Sequence, residues 1–135
     1  MPTHSLPKEG EFMKRSVLIV DDSTTSRLII QRCCQIAGWA DAEFAHASDG
    51  KMALEAIHSR PFDLVLSDYN MPVIDGLELA LSLFNEHFLP GIAVAIITSG
   101  KNDILTSKLL ELGVMEVLAK PITPQDLSRL LERLD

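Results

Sequence analysis

Apolar residues in this chain fall into two alternating kinds of run. Short unbroken ones, Val17-Leu18-Ile19-Val20, Leu64-Val65-Leu66 and Ile92 to Ile97, lack polar alternation and stop abruptly on polar residues, as strands covered on both faces do. Between them apolar positions recur at helical spacing. Ser16 to Val20 is thus the first strand, ending at Asp21-Asp22. Ser23, Thr24 and Thr25 offer caps for a helix to about Ala37, stopped by Gly38, with Ile29, Cys33 and Ile36 inward and Ile30, Cys34 and Ala37 beside them. Glu43 to Ala47 is a weak strand, and Asp49 caps a helix with Ala53, Leu54 and Ile57 on one side, ending near Arg60-Pro61. The run to Asp68, bounded by Pro61 and Pro72, is the central strand.

After a loop at Pro72-Val73-Ile74-Asp75-Gly76, Leu77, Leu81 and Phe84 give a third helix its inner face, before Pro90-Gly91 breaks the chain. Ile92 to Ile97 is the fourth strand and ends on Thr98-Ser99-Gly100. Asn102 or Asp103 caps a helix with Leu105, Leu109 and Leu112 inward, closed by Gly113. Val114 to Leu118 is the fifth strand, ending near Lys120-Pro121. Thr123 as cap, Pro124 and Asp126 open the last helix, whose Leu127, Leu130, Leu131 and Leu134 are spaced i, i+3, i+4, i+7. Five strands alternating with five helices specify an α/β fold with a parallel sheet and helices on both faces. The expected architecture is flavodoxin-like and doubly wound, with strand order 2-1-3-4-5.

A chain of 135 residues with 47% hydrophobic content has room for one domain with a real core. Its formal net charge of −7, with no basic cluster longer than Lys14-Arg15, argues against nucleic acid or an anionic membrane as partner. No apolar run approaches the roughly 20 residues that span a bilayer. Residues 1–13 read as a flexible leader without the apolar core of a signal peptide, ahead of a domain over 14–135. The expected location is the cytoplasm. Adjacent Cys33 and Cys34 are poorly placed for a mutual disulfide and read as two buried thiols in a reducing compartment. His4, His46, His58 and His87 show no metal-ligand spacing and take no role.

The polar residues at the strand ends carry the chemistry. A parallel sheet brings Asp21, Asp22, Asp68, Thr98 and Lys120 to one edge. Singly each has an ordinary reading: Asp22 as a helix cap, Asp68 as turn material, Thr98 as a strand residue, Lys120 as a solvated charge. Four strand ends bearing them together is not a coincidence of turns. Three close carboxylates repel unless a divalent cation joins them, and an oxygen-only donor set selects a hard ion such as Mg²⁺ over Zn²⁺. Against a phosphate, the lysine absorbs charge, the hydroxyl donates, and Asp68 is the nucleophile that forms an acyl phosphate.

With Val-Leu-Ile-Val-Asp-Asp at 17–22, Asp68 followed by Met71-Pro72 and Asp75-Gly76, then Thr98 and Lys120-Pro121, the chain resembles the receiver domain of two-component response regulators, most of all the single-domain chemotaxis type. The resemblance covers about residues 15–135. It implies that Asp68 accepts phosphate from a sensor histidine kinase or phosphotransfer protein. It also implies that Asp22 and Asp68 bind Mg²⁺, with Asp21 supporting through water and the Asn70 backbone carbonyl completing the protein ligands. Thr98 and Lys120 would hold the phosphoryl group, with a cis bond at Lys120-Pro121. The family's usual aromatic residue three before the lysine is here Val117, so output is expected from loop and helix shifts over about 102–134. No output domain is expected, and signalling would run through a bound target protein, with monomer and phosphorylation-dependent dimer both open.

Two other classes compete. A phosphohydrolase of the haloacid dehalogenase type also uses a strand-end Asp and Mg²⁺ but places a second Asp two residues on as acid/base, where this chain has Asn70. A flavin or nucleotide binder on the same fold would need phosphate-cradling glycines. There is no Gly-x-Gly-x-x-Gly, and Gly100-Lys101-Asn102 lacks both the upstream glycine and the Ser/Thr of a P-loop. A binding module that is never phosphorylated is the remaining alternative.

Overall fold

A computed structural model describes residues 14–135, so the expected leader lies outside the described residues. Strands β1 (Ser16–Val20), β2 (Glu43–Ala47), β3 (Leu64–Asp68), β4 (Ala93–Thr98) and β5 (Glu116–Ala119) form one parallel sheet in the order β2-β1-β3-β4-β5. The strand order matches the expectation. Compared with the pattern reading, β4 starts one residue later and β5 two later, because the apolar runs continue into the approach loops.

Period-two alternation divides each strand's side chains between two cores. Val17, Ile19, Leu64, Leu66, Ala95 and Ile97 pack with α1 (Thr24–Cys34) and α5 (Pro124–Glu132). Leu18, Val20, Val65, Val94 and Ile96 pack with α2 (Gly50–Ser59), α3 (Gly76–Asn85) and α4 (Asp103–Glu111). Truncating any of these fully buried Leu or Ile side chains to Ala would cost about 2–5 kcal/mol. Both thiols, Cys33 and Cys34, are free and buried. Burial pushes the Cys34 thiol up to about 12, which makes it unreactive at neutral pH.

Each helix begins on a side-chain cap: Ser23, Asp49, Asp75, Asn102 and Thr123. Such caps are worth about 1 kcal/mol apiece. Asp75 and Glu78 form a reciprocal pair, and this pair sets the rotation of α3. The inner face is therefore Leu79, Ala80 and Leu83, with Leu77 packed at its edge, while Leu81 and Phe84, expected inward, are 40% and 46% exposed. The apolar arc of α3, from Leu77 round to Phe84, is broader than one buried face, so spacing alone does not fix which part points inward. In α1 the buried residues are Ile30, Cys33 and Cys34, whereas Ile29 and Ile36 are exposed. The helix ends in a wider, π-type turn over Gln35–Trp39 that carries Gly38 at φ 119°, a conformation costly to any side chain.

The loop from β3 to α3 is tight. A Cβ on Gly76 would stand 2.8 Å from the Tyr69 Cα, so only glycine lets the helix start so close to the strand end. Within this loop the Ile74 N–H donates to the Pro72 carbonyl at 2.8 Å, closing a three-residue turn around Val73 at φ 70°. A β-branched residue is strained there. Since Val73 is also 80% exposed, Val73→Gly is expected to raise unfolding stability by about 1 kcal/mol, read as a higher urea midpoint at unchanged slope.

Candidate functional site

The carboxyl edge of the sheet collects the expected residues, and backbone hydrogen bonds set their spacing. The Asp21 N–H donates to the Ala47 carbonyl at 3.1 Å, Tyr69 to Ile97 at 2.8 Å and Lys120 to Thr98 at 2.9 Å. These bonds extend the ladder one residue past β1, β3 and β5, so the residues bearing the chemistry are anchored to the sheet. The Lys120-Pro121 bond is cis.

Oxygens of Asp21, Asp22 and Asp68 lie within 4.8 Å of one another. Asp21 and Asp68 are buried and Asp22 is exposed at the rim. Lys120 Nζ stands 3.0 Å from Asp68 Oδ1 and 4.0 Å from Asp21 Oδ2, close enough to pair charges. Neither oxygen accepts a directed hydrogen bond among the described residues. One ammonium faces three carboxylates, so two negative charges remain uncompensated. Two buried carboxylate oxygens without a hydrogen-bond donor, beside a third carboxylate and with no Cys or His in the group, suit a small hard cation held by oxygen. Asp21, Asp22 and Asp68 would hold it.

Electrostatics bears this out at Asp21. Burial first, and then the charges of Asp68 and Asp22, push its carboxyl above the ordinary 3.8, against the opposing pull of the Ser23 N–H and Lys120.

Thr98 ends β4 beside Asp68, in register one step beyond the Asp68–Ile97 pair. Its Oγ1 is buried and accepts from the Gly100 N–H at 3.1 Å, which leaves the hydroxyl proton available to donate. Asn70 is exposed in the loop two residues past Asp68. Ser23, expected only as a helix cap, and Arg27, which carried no expectation, hold Asp21 in place: the Ser23 N–H donates to Asp21 Oδ1 at 2.9 Å, and Arg27 Nη1 donates to the Asp21 carbonyl at 2.5 Å. Ser23 is also the cap of α1, a place where Asp22 had an ordinary reading. Arg27 carried no signal, since its partner is a backbone atom that no residue type marks. Val117 is buried, as a small side chain packed in the core.

Comparison with known proteins gives one answer throughout. The model of the response regulator receiver domain family matches residues 17–132. A probable chemotaxis protein CheY of Rhizobium etli is 32% identical over 119 residues, 88% of this chain and 91% of the relative. Chemotaxis protein CheY of Pseudomonas aeruginosa is 31% identical over 87% of this chain and 94% of its own length. Among solved structures, Vibrio cholerae chemotaxis protein CheY4 superposes with a TM-score of 0.79 at 28% identity, covering 91% of this chain and all (100%) of that one. No helix among the described residues is long and apolar enough to cross a membrane.

A raised carboxyl pKa means that ionised Asp21 costs stability above its folded pKa and costs nothing below 3.8. Asp21→Asn is therefore expected to raise the melting temperature of the metal-free protein at pH 7 by roughly 3–5 °C, on the order of 1 kcal/mol. The gain should fade as the pH falls toward 3.8. MgCl₂ should raise the wild-type melting temperature and EDTA reverse the gain, as calorimetry at several pH values can check.

Proposed function

The chain belongs to the response regulator receiver domain family, and on that premise we propose that it is a phosphoacceptor whose Asp68 receives a phosphoryl group from a histidine kinase or phosphotransfer protein. The observation that carries the reading is the pairing of buried Asp68 with Lys120 at 3.0 Å beside two further carboxylates. The proposed domain spans residues 14–135 and acts in the cytoplasm.

An Asp68 carboxylate oxygen attacks the phosphorus of a phosphohistidine. The P–N bond breaks, its electron pair returns to the imidazole, which takes a proton, and an aspartyl phosphate remains. Asp22 and Asp68, with Asp21 and the Asn70 carbonyl in support, would hold Mg²⁺, which would supply charge neutralisation there. Lys120 follows the charge as it moves onto the phosphoryl oxygens. The Thr98 hydroxyl donates to one of them, and the buried site keeps water from competing.

Output follows from Thr98. Gly100 donates to Thr98 Oγ1, Asn102 Nδ2 donates to the Gly100 carbonyl at 3.2 Å, and Asn102 Oδ1 caps α4 through the Leu105 N–H at 2.9 Å. A hydroxyl drawn toward a phosphoryl group thus pulls on the cap of α4. That helix presents Ile104 and Leu110 to solvent, an apolar surface for a target protein. With Val117 in place of an aromatic ring, this hydrogen-bond series carries the change alone. The phosphohydrolase reading is not favoured, because Asn70 cannot transfer protons as a second aspartate would.

Intact mass spectrometry after incubation with acetyl phosphate and MgCl₂ is expected to show one labile phosphoryl group on the wild type, none on Asp68→Asn and none with EDTA. Lys120→Ala should label at least about 100-fold more slowly. Addition of beryllofluoride should move amide NMR signals across residues 99–112, and an unmoved α4 would contradict the output route.

A further inference from the structure

Three of the four polar atoms of Asp21 are already engaged inside the protein. Its N–H donates to the Ala47 carbonyl at 3.1 Å, Oδ1 accepts from Ser23 at 2.9 Å, and its carbonyl accepts from Arg27 at 2.5 Å. Only Oδ2 is left over, and it faces Lys120. The bond to the carbonyl matters most for the site as a whole. That carbonyl belongs to the rigid peptide plane joining Asp21 to Asp22, so whatever holds the plane sets the direction in which both side chains leave the backbone. The sheet does not hold it, since the ladder from β1 ends at the Asp21 N–H.

Arg27 is itself held on two further sides. Nη2 donates to Thr24 Oγ1 at 3.1 Å and Nε donates to His46 Nδ1 at 3.2 Å, while His46 Nε2 lies 2.7 Å from Gln31 Oε1. Arginine only donates and an amide oxygen only accepts, so a neutral imidazole with its proton on Nε2 satisfies both neighbours at once. Among the described residues the guanidinium pairs with no carboxylate. Its planar fork ties the end of β1, the first turn of α1 and the middle of β2 together.

We propose that Arg27 is a positioning residue for the Asp21-Asp22 pair, kept in place by His46, and that it sets the metal affinity of the site through backbone geometry. The inference rests on the phosphoacceptor reading and its Mg²⁺ site. A fork aimed at a carbonyl acts by direction, and lysine can replace only one of its three bonds.

The test is calorimetric titration of MgCl₂ into the full chain as wild type, Arg27→Ala, Arg27→Lys, His46→Ala and the Arg27→Ala/His46→Ala double variant. Circular dichroism first establishes that each is folded. Arg27→Ala is expected to weaken Mg²⁺ binding about 10-fold, Arg27→Lys to recover part of the loss, and His46→Ala to fall between. Because His46 acts through Arg27, the double variant should match Arg27→Ala alone. Should Arg27→Ala not fold, Arg27→Lys and His46→Ala carry the comparison. Folded Arg27 variants that bind Mg²⁺ within about twofold of wild type, or a His46 loss that adds in full, overturn the proposal. Wild type that binds no Mg²⁺ overturns it together with the reading beneath it, so the two failures are told apart by the wild-type trace.

Discussion

Two carboxylates, Asp21 and Asp68, sit almost out of water within 4.8 Å of each other and of Asp22. Like charges in so poorly solvated a place repel strongly, and a single ammonium, Lys120, answers them. Left alone, such a cluster would be selected away as a defect of stability. Most of the surrounding structure can be understood as what keeps it in place. The sheet supplies a rigid edge, the backbone bonds beyond β1, β3 and β5 hold the residues at fixed separations, and Ser23 and Arg27 prevent Asp21 from turning away.

The two hydrophobic layers give that edge its stiffness. Strands buried on both sides have no freedom to slip, since a one-residue shift would exchange the residues facing the two cores. The helices contribute differently. Those on the α1 and α5 side brace the acidic end of β1, whereas α4 on the opposite side is tied to the site through the loop after Thr98. One face therefore stabilises the charge cluster and the other is coupled to what happens there.

Much of this was legible in the sequence. Unbroken apolar runs ending on Asp21-Asp22, Asp68, Thr98 and Lys120 fix both the parallel sheet and the edge where those groups meet. Caps at Ser23, Asp49, Asn102 and Thr123 are visible because their side chains do the capping. Legibility failed where residue type carries no direction. The inward face of α3 is decided by its cap and by Gly76 against Tyr69, because the apolar positions from Leu77 to Phe84 form an arc too broad to mark one face. Ile29 on α1 and Ile36 in the turn that follows it look like core and are exposed. Arg27 and His46 meet across two elements, and one of the bonds that matter ends on a carbonyl, which the one-letter code does not record.

The central claim is that a phosphoryl group is carried on one particular carboxylate. Reducing the labelled protein with borohydride and mapping its peptides by mass spectrometry tests that most directly, because an aspartyl phosphate is reduced to homoserine while a free aspartate is untouched. Homoserine is expected at position 68 alone, and only after treatment with a phosphodonor and Mg²⁺. Homoserine at another aspartate, or none in a protein that has gained phosphate, would contradict it.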